Sequence, residues 1–224
     1  MSARTPEEDP GQPDELARLP HGRHGLPPEF VAHNQRQRLI ASLTALVGEV
    51  GYSGATIGGV TAGAGVSSRT FYKYFETVEE CYLAAFDQAV EVMKPAVVEA
   101  YESEEDWVEA LRAGLDALLA GFSAEPDMAR LLTAEPFVAG PQAALRHREL
   151  IESLAPCLRK GRELAGHELP PSAELGLLGS ANSLIGRRAF STDDTDFESL
   201  APDLMQFLLN PYLGPAEARR LATA

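Results

Sequence analysis

The sequence has few of the features that mark secreted, membrane or metal-binding proteins. Its only two cysteines, Cys81 and Cys157, stand far apart and outside any CxxC or Cys/His pattern, so we expect neither a disulfide framework nor a zinc site. No run of about 18 consecutive apolar residues occurs, which argues against a membrane span. The first thirty residues lack the basic start and apolar middle of a signal peptide. We therefore expect a cytoplasmic protein with no metal and no cofactor.

Positive charge is also scarce, because 19 Lys and Arg oppose 33 Asp and Glu and give a formal net charge of -14. Such a balance is unfavourable for nucleic-acid binding, but the charges are unevenly placed. Residues 21–81 hold five cations and five acids, whereas residues 82–224 hold twelve cations and twenty-three acids. An N-terminal segment without net charge can gather its cations on one face. The overall acidity therefore does not exclude a nucleic-acid partner.

What the sequence does contain is helical periodicity, broken at Pro and Gly and without strand-like alternation. We predict an all-α fold in which a three-helix domain over residues 26–80 is followed by a helical domain over residues 81–224. Residues 1–25 are rich in Pro and acids and predict a disordered tail. Beyond the first helix, which Gly51 closes, we predict helices over about 56–64, after Ser67, from Thr77 until Pro95 kinks or ends the helix, from Ser103, after Pro126, and over about 140–165, 171–189 and 196–209, with a short turn after Pro215.

The stretch GAGVSSRTFYKYF, residues 63–75, follows one predicted short helix and forms another. Thr56 and Ser67 are suitable N-caps, and Gly65 suits a left-handed turn between the two helices. A helix, a tight glycine turn and a short second helix form the helix-turn-helix arrangement, in which the second helix enters the major groove of DNA. Phe71 and Phe75 lie four residues apart and are expected to anchor that helix.

The remaining side chains of the second helix are expected to stay outside, where they suit contacts to DNA. Hydroxyls, Tyr and Lys match phosphate oxygens, and Arg69 is the candidate for a bidentate contact to guanine. The alternative is an amphipathic helical hairpin whose polar face is merely solvated.

A longer stretch of the sequence favours DNA binding over a solvated hairpin. Residues 33–83 resemble the N-terminal domain of the TetR family of bacterial transcriptional regulators, in the Gly51-Tyr52 turn, the capping Thr56, the Gly65-Val66-Ser67 turn and the pairing of Tyr72 with Phe75. The preceding HGRHGLPPEFVAHNQRQR is similar to the lead-in of many actinobacterial members. The resemblance implies DNA contacts from Thr56, Ser67, Ser68, Arg69, Thr70, Tyr72, Lys73 and Tyr74.

Some N-terminal positions remain open or depart from the family pattern. Arg23 either reaches a minor groove as a basic arm or belongs to a plain linker. Arg36 and Arg38 either meet phosphate or are solvated. Val78 stands where the family usually has a phosphate-contacting lysine, and Thr61 stands where it prefers alanine, so its hydroxyl is expected to bond back along the helix. Three glycines at 58, 59 and 63 predict a loosely held second helix.

The C-terminal part supports fold more than ligand. Candidate walls of an apolar effector pocket, each of which could instead be core, are Phe86, Met93, Trp107, Leu111, Leu115, Met128 and Phe137, with His147 as a candidate polar anchor. Small and apolar residues recur along the last long helices and predict a homodimer interface, unless they serve a monomer core. The interface candidates are Gly179, Ser183, Leu184, Leu204, Phe207 and Leu208.

The resemblance implies a transcriptional regulator without enzymatic activity. We expect a repressor that binds a palindromic double-stranded operator as a homodimer and is released by a small-molecule effector acting through the fourth helix. The rival hypothesis is a helical small-molecule binding protein or enzyme that has lost DNA binding.

Overall fold

The computed structural model describes residues 27–191 and 195–223, and this part of the chain is all-α, without a strand. The predicted tail at 1–25 and Arg23 lie outside the described residues. Eleven α-helices are found in the described ranges: α1 Pro28–Val50, α2 Ile57–Ala64, α3 Ser68–Phe71, α4 Val78–Glu102, α5 Trp107–Ala124, α6 Pro126–Thr133, α7 Pro136–Ala139, α8 Pro141–Arg159, α9 Ala173–Ala189, α10 Ala201–Leu213 and α11 Pro215–Ala222.

Helix starts follow the local capping chemistry, with one correction. Thr77 caps α4 by accepting from the backbone N–H of Glu80 at 3.1 Å, as expected. The reciprocal bond of a capping box goes one residue further back, because Glu80 Oε2 accepts from the N–H of Glu76 at 2.6 Å. The prediction that Ser103 starts the next helix is wrong. Asp106 caps α5 by accepting from two backbone N–H groups, and Ser103 closes α4.

Proline also acts differently from the simplest expectation in α4. The helix continues through Pro95 to Glu102, so Pro95 does not end it. Pro95 is exposed. α4 is therefore one continuous helix of 25 residues that contacts α1, α5, α6 and α8. The short helix α7 was not predicted, and α8 is followed by a 3-10 turn over Lys160–Leu164.

One apolar core runs through the molecule. α1 packs against both α2 and α4, and α2 packs against α3, with side chains such as Leu43, Val60 and Phe71 fully buried. α5 lies along α4, and α6 packs between α1 on one side and α9 on the other. α8, α9 and α10 complete the second half, where Leu158, Leu204 and Met205 are buried. α4 and α6 both pack on α1, and α7 packs on the 3-10 turn Tyr52–Gly54, so these three helices connect the N-terminal helices to the rest of the described chain.

Candidate nucleic-acid interface and effector cavity

The turn between α2 and α3 is built around Gly65. Its φ of 61° and ψ of 37° lie in the left-handed region that favours glycine. The N–H of Gly65 donates to the carbonyl of Ala62 at 3.1 Å, and the N–H of Val66 donates to the carbonyl of Thr61 at 3.0 Å. The chain therefore reverses immediately after α2, as the sequence predicted.

α3 is short but firmly held. The Ser67 hydroxyl accepts from the N–H of Thr70 at 3.2 Å and lies 3.0 Å from the Thr70 hydroxyl. On the opposite side, Phe71 and Phe75 are buried with ring centroids 5.8 Å apart. The predicted anchors of the helix are confirmed, and they determine which of its side chains can face solvent.

The exposed side of α3, of its N-cap and of the turn after it is called the recognition face here, and it consists of Ser67, Ser68, Arg69, Tyr72 and Lys73. Tyr72 is 60% exposed, so its ring and its hydroxyl are both accessible from solvent. The face offers two cations, two aliphatic hydroxyls and one phenol. These are the groups that donate hydrogen bonds to phosphate oxygens and base edges.

Tyr74 is placed differently from the expectation that it stays outside. Its ring is half-buried against the core, and its hydroxyl donates to Gln35 Oε1 of α1 at 2.9 Å. The hydroxyl proton is therefore already used, and a DNA contact would have to break this bond. Tyr74 braces α3 against α1. Thr70 is also half-buried, with its hydroxyl next to Ser67.

Thr56, the remaining predicted DNA contact, is the N-cap of α2. Thr56 is exposed, and its hydroxyl caps α2 by accepting from the N–H of Gly59 at 3.1 Å. The Thr61 hydroxyl bonds back to the carbonyl of Ile57 at 2.8 Å, as predicted. Arg38 has a structural role, because its guanidinium donates to the carbonyl of Ala64 at the end of α2. Arg36 lies over the Phe75 ring, 5.5 Å from its centroid.

A buried polar cluster joins α6 to the end of α1, and sequence reasoning missed it. Arg130 Nη1 donates to the carbonyl of Gly48 at 2.9 Å, while its Nε donates to Glu135 Oε1 at 2.9 Å. Glu135 is 3% exposed, and its other oxygen accepts from the N–H of Tyr52 at 3.1 Å. Two charged residues within the otherwise apolar stretch ARLLTAEPFVA are the only signal in the sequence.

A second contact ties α6 to α4. The Tyr82 hydroxyl donates to the carbonyl of Leu131 at 2.6 Å, and the Tyr82 ring meets that of Tyr52 edge-on at 5.3 Å. Burial raises the pKa of Tyr82 well above its ordinary value. The hydroxyl therefore remains protonated and keeps donating this bond.

A cavity of about 390 Å³ lies among α4, α5, α6, α8, α9 and α10. Three of the predicted pocket walls, Met93, Leu111 and Leu115, do line it. The cavity also reaches Leu132 and Thr133 of α6. Its volume falls within the range of small-molecule sites, and its lining is predominantly apolar.

The other five predicted pocket residues do not line this cavity. Phe86 is buried in the core, and Met128 packs against the core while half-buried. Trp107 contacts Tyr212 edge-on, and its Nε1 donates to the carbonyl of Cys157 at 2.8 Å. Phe137 is 67% exposed. An apolar pattern in the sequence does not show which side of a helix faces a cavity.

His147, the fifth of these residues, does not line the cavity but contacts a residue that does. It is buried, and its Nε2 is 3.2 Å from Oδ1 of Asn182, which does line the cavity. Burial lowers the pKa of His147 from its ordinary value, while the bond to Asn182 acts in the opposite direction. The Asn182 amide donates to the carbonyl of Thr133 at 3.2 Å. His147 thus orients Asn182 and does not itself face the cavity.

The predicted interface residues separate into two groups. Gly179, Ser183, Leu184 and Phe207 are exposed on α9 and α10. Leu204 and Leu208 are buried within the chain, with 0% and 4% exposure, and Leu208 lines the cavity. The prediction that these two leucines face a partner is therefore wrong, because their side of α10 packs against the same subunit.

Taken together, the described residues form a helix-turn-helix unit joined to a helical body with an internal cavity. Residues 39–85 match the family model of "Bacterial regulatory proteins, tetR family". No curated protein matches the chain in sequence. None of the described helices is both long and apolar enough to cross a membrane, and no cluster of metal-ligating side chains occurs among the described residues.

The fold is that of solved TetR-type regulators. The fatty acid degradation regulator FadR of Bacillus halodurans aligns with a TM-score of 0.67 at 20% identity, over 78% of this chain and 94% of that one. FadR of Bacillus subtilis, solved in complex with stearoyl-CoA, aligns at 0.62 and 15% identity, over 80% and 98%. A TetR family regulator from Marinobacter aquaeolei aligns at 0.57 and 18% identity, over 73% and 91%.

Proposed function

We propose that the protein is a TetR-family transcriptional repressor that binds a partly palindromic operator as a homodimer. The observation that carries this proposal is the recognition face. Arg69 of α3 and Tyr72 and Lys73 of the turn after it are exposed, while Phe71 and Phe75 anchor this segment in the core. An anchored short helix that presents such donors outward is suited to the major groove.

Dimer formation is supported by the exposed side of α9 and α10. Gly179 and Ser183 are exposed on α9 beside Leu184, which is 39% exposed, and Phe207 of α10 is 36% exposed. Small residues permit a partner helix to approach closely, and the two apolar side chains gain by burial. Two recognition faces related by a two-fold axis would then read two half-sites.

Control by a small molecule is supported by the cavity and by what its walls touch. α4 begins just after α3, and its second half lines the cavity. α6 contributes Leu132 and Thr133 to the cavity, while Arg130 and the Leu131 carbonyl hold Gly48 and Tyr82. A bound effector that shifts either helix would change the position of α1 or α3. The stearoyl-CoA complex of the Bacillus subtilis neighbour is consistent with effector control.

Fluorescence anisotropy with a labelled DNA fragment from upstream of the protein's own gene tests the DNA-binding proposal. We expect Arg69→Ala to weaken binding by roughly ten- to hundredfold, because a bidentate contact to guanine contributes about 1–3 kcal/mol. Tyr72→Phe should weaken binding by a smaller factor, because only one hydroxyl is lost. Arg148→Ala is the matched control, since it removes an exposed arginine from α8.

The outcomes separate the two hypotheses for this chain. Loss of affinity in Arg69→Ala with an unchanged Arg148→Ala supports a regulator. Equal binding by wild type and Arg69→Ala would contradict the assignment of the recognition face. If neither the wild type nor any variant binds the upstream DNA, the rival hypothesis of a helical small-molecule binding protein or enzyme is favoured.

A further inference from the structure

Charged groups line the cavity only at its mouth. The exposed lining residues are Lys94 and Glu102 of α4, together with Pro156 and Lys160 near the end of α8. Every other lining residue is apolar or uncharged. An ionised group on a ligand must therefore stay at this opening, because burying it among uncharged walls is costly.

The inner end of the cavity offers little to a polar ligand group. The Thr133 hydroxyl donates to the carbonyl of Ala129 at 2.6 Å. Both ends of the Asn182 amide are engaged, by His147 and by the Thr133 carbonyl. Cys157 also lines the cavity, and burial raises the pKa of its thiol, so this side chain stays uncharged. The interior thus fits an apolar body whose shape follows the surrounding helices.

The mouth favours a negative head group. Lys94 Nζ reaches across from α4 to Ser153 Oγ of α8 at 3.4 Å. Lys160 Nζ lies over the Tyr101 ring, 5.0 Å from its centroid. Both lysines are exposed and able to turn towards a ligand, and Glu102 is the one acid that lines the opening. Two cations against one acid form a local reversal of the protein's net charge of -14.

We propose that the cavity binds a single-headed amphipathic anion, with an unbranched alkyl chain inside and its anionic head between Lys94 and Lys160. This inference rests on the proposed function, because it names the chemical class of the effector. A cavity of about 390 Å³ holds about a dozen groups of the size of a water molecule, at about 30 Å³ each. A saturated chain of about twelve carbons is therefore a suitable first probe of this cavity.

Isothermal titration calorimetry on the full-length protein without DNA tests the ligand class. The probes are dodecanoate, dodecanol and dodecyltrimethylammonium, each below its micelle-forming concentration. Dodecanoate should bind most tightly, and shorter carboxylates should lose about fourfold in affinity per methylene removed. Equal binding of dodecanol, tighter binding of the ammonium, or no binding of any probe would overturn the proposal.

Two variants at the mouth test the position of the head group. The double variant Lys94→Met, Lys160→Met should weaken dodecanoate roughly tenfold, because it removes two exposed ion pairs, and should leave dodecanol unchanged. Glu102→Gln should tighten dodecanoate a few-fold. Arg148→Met, which removes an exposed cation of α8 that does not line the cavity, should change neither. An unchanged affinity in the double lysine variant would refute the assigned mouth.

The anionic head could belong to a free carboxylate or to a phosphate-bearing thioester of coenzyme A, and dodecanoyl-CoA distinguishes these sources. The one that binds more tightly at equal chain length shows which of the two head groups the mouth of the cavity prefers. The calorimetry is independent of DNA. If these ligands bind and no DNA does, the ligand inference survives and the regulator proposal fails; the reverse result rejects only the ligand class.

Discussion

At the scale of single residues, the three glycines of α2 look alike in sequence but differ in the structure. A Cβ on Gly63 would lie 2.3 Å from Ser42 Oγ and 3.3 Å from Ser42 Cβ, and one on Gly59 would lie 2.8 Å from Leu46 Cδ2. These two glycines permit the close crossing of α1 and α2. At Gly58 the nearest atom is Thr56 Oγ1 at 3.9 Å. Two of the three glycines on which the expectation of a loosely held α2 was based are therefore needed for packing.

This difference predicts opposite effects of the same substitution. Gly58→Ala should stabilise the protein by roughly 0.5 kcal/mol, because alanine is the better helix former and no neighbour is displaced. Gly63→Ala should destabilise it, because Ser42 must turn away and lose its bond to the Val60 carbonyl, which measures 2.9 Å. Thermal unfolding followed by circular dichroism measures both changes. A higher melting temperature for Gly63→Ala would contradict the crossing geometry.

Features that depend on a few neighbouring residues were predictable from the sequence. The caps at Thr56, Ser67 and Thr77 and the left-handed turn at Gly65 are of this kind, since each is decided within one helical turn. Tyr74 shows the limit. Whether its hydroxyl meets solvent or Gln35 depends on how α3 packs on α1, and 39 residues separate the partners. Sequence spacing carries no information on such a contact.

At the scale of helices, α6 illustrates what periodicity cannot show. The sequence predicted a short helix after Pro126, and the structure has one. Its importance comes from Arg130 and Glu135, which link it to Gly48 and Tyr52 in the first half of the molecule. A buried ion pair of this kind is known only once both halves are packed. α4 is therefore not the sole connection between the cavity and the recognition face, because α6 provides a second one.

The Arg130–Glu135 pair predicts a non-additive response to substitution. Arg130→Met should cost roughly 3 kcal/mol, because it leaves the buried Glu135 carboxylate without its partner. The double variant Arg130→Met, Glu135→Gln should cost less than the single one, since no uncompensated charge remains and Gln can still accept from the Tyr52 N–H. Urea denaturation of the wild type, Arg130→Met, Glu135→Gln and the double variant measures this cycle. A double variant less stable than Arg130→Met would show that the pair is not the main interaction.

At the scale of the whole molecule, the predicted dimer interface on α9 and α10 is only partly available to a partner. The sequence indicated that this pair of helices has two apolar or small sides. It could not decide which side turns inward, because Leu204 and Phe207 are equally apolar in the pattern. In the structure Leu204 is fully buried and Phe207 is 36% exposed. Of the predicted interface residues, only Gly179, Ser183, Leu184 and Phe207 remain available to a partner.

The free side of α9 predicts that assembly can be broken without disturbing the fold. A Cβ on Gly179 meets no atom within 4 Å in the single chain, so Gly179→Glu should leave the helical circular dichroism unchanged. Across a two-fold axis the same change brings like charges together, and should convert a dimer into a monomer and weaken operator binding. Sedimentation velocity measures the assembly state. Gly166→Glu is the control, because Gly166 is also exposed with no atom within 4 Å but lies outside α9. A Gly179→Glu protein that remains dimeric would show that the interface lies elsewhere. A wild-type monomer would contradict the homodimer, and with it the reading of two half-sites.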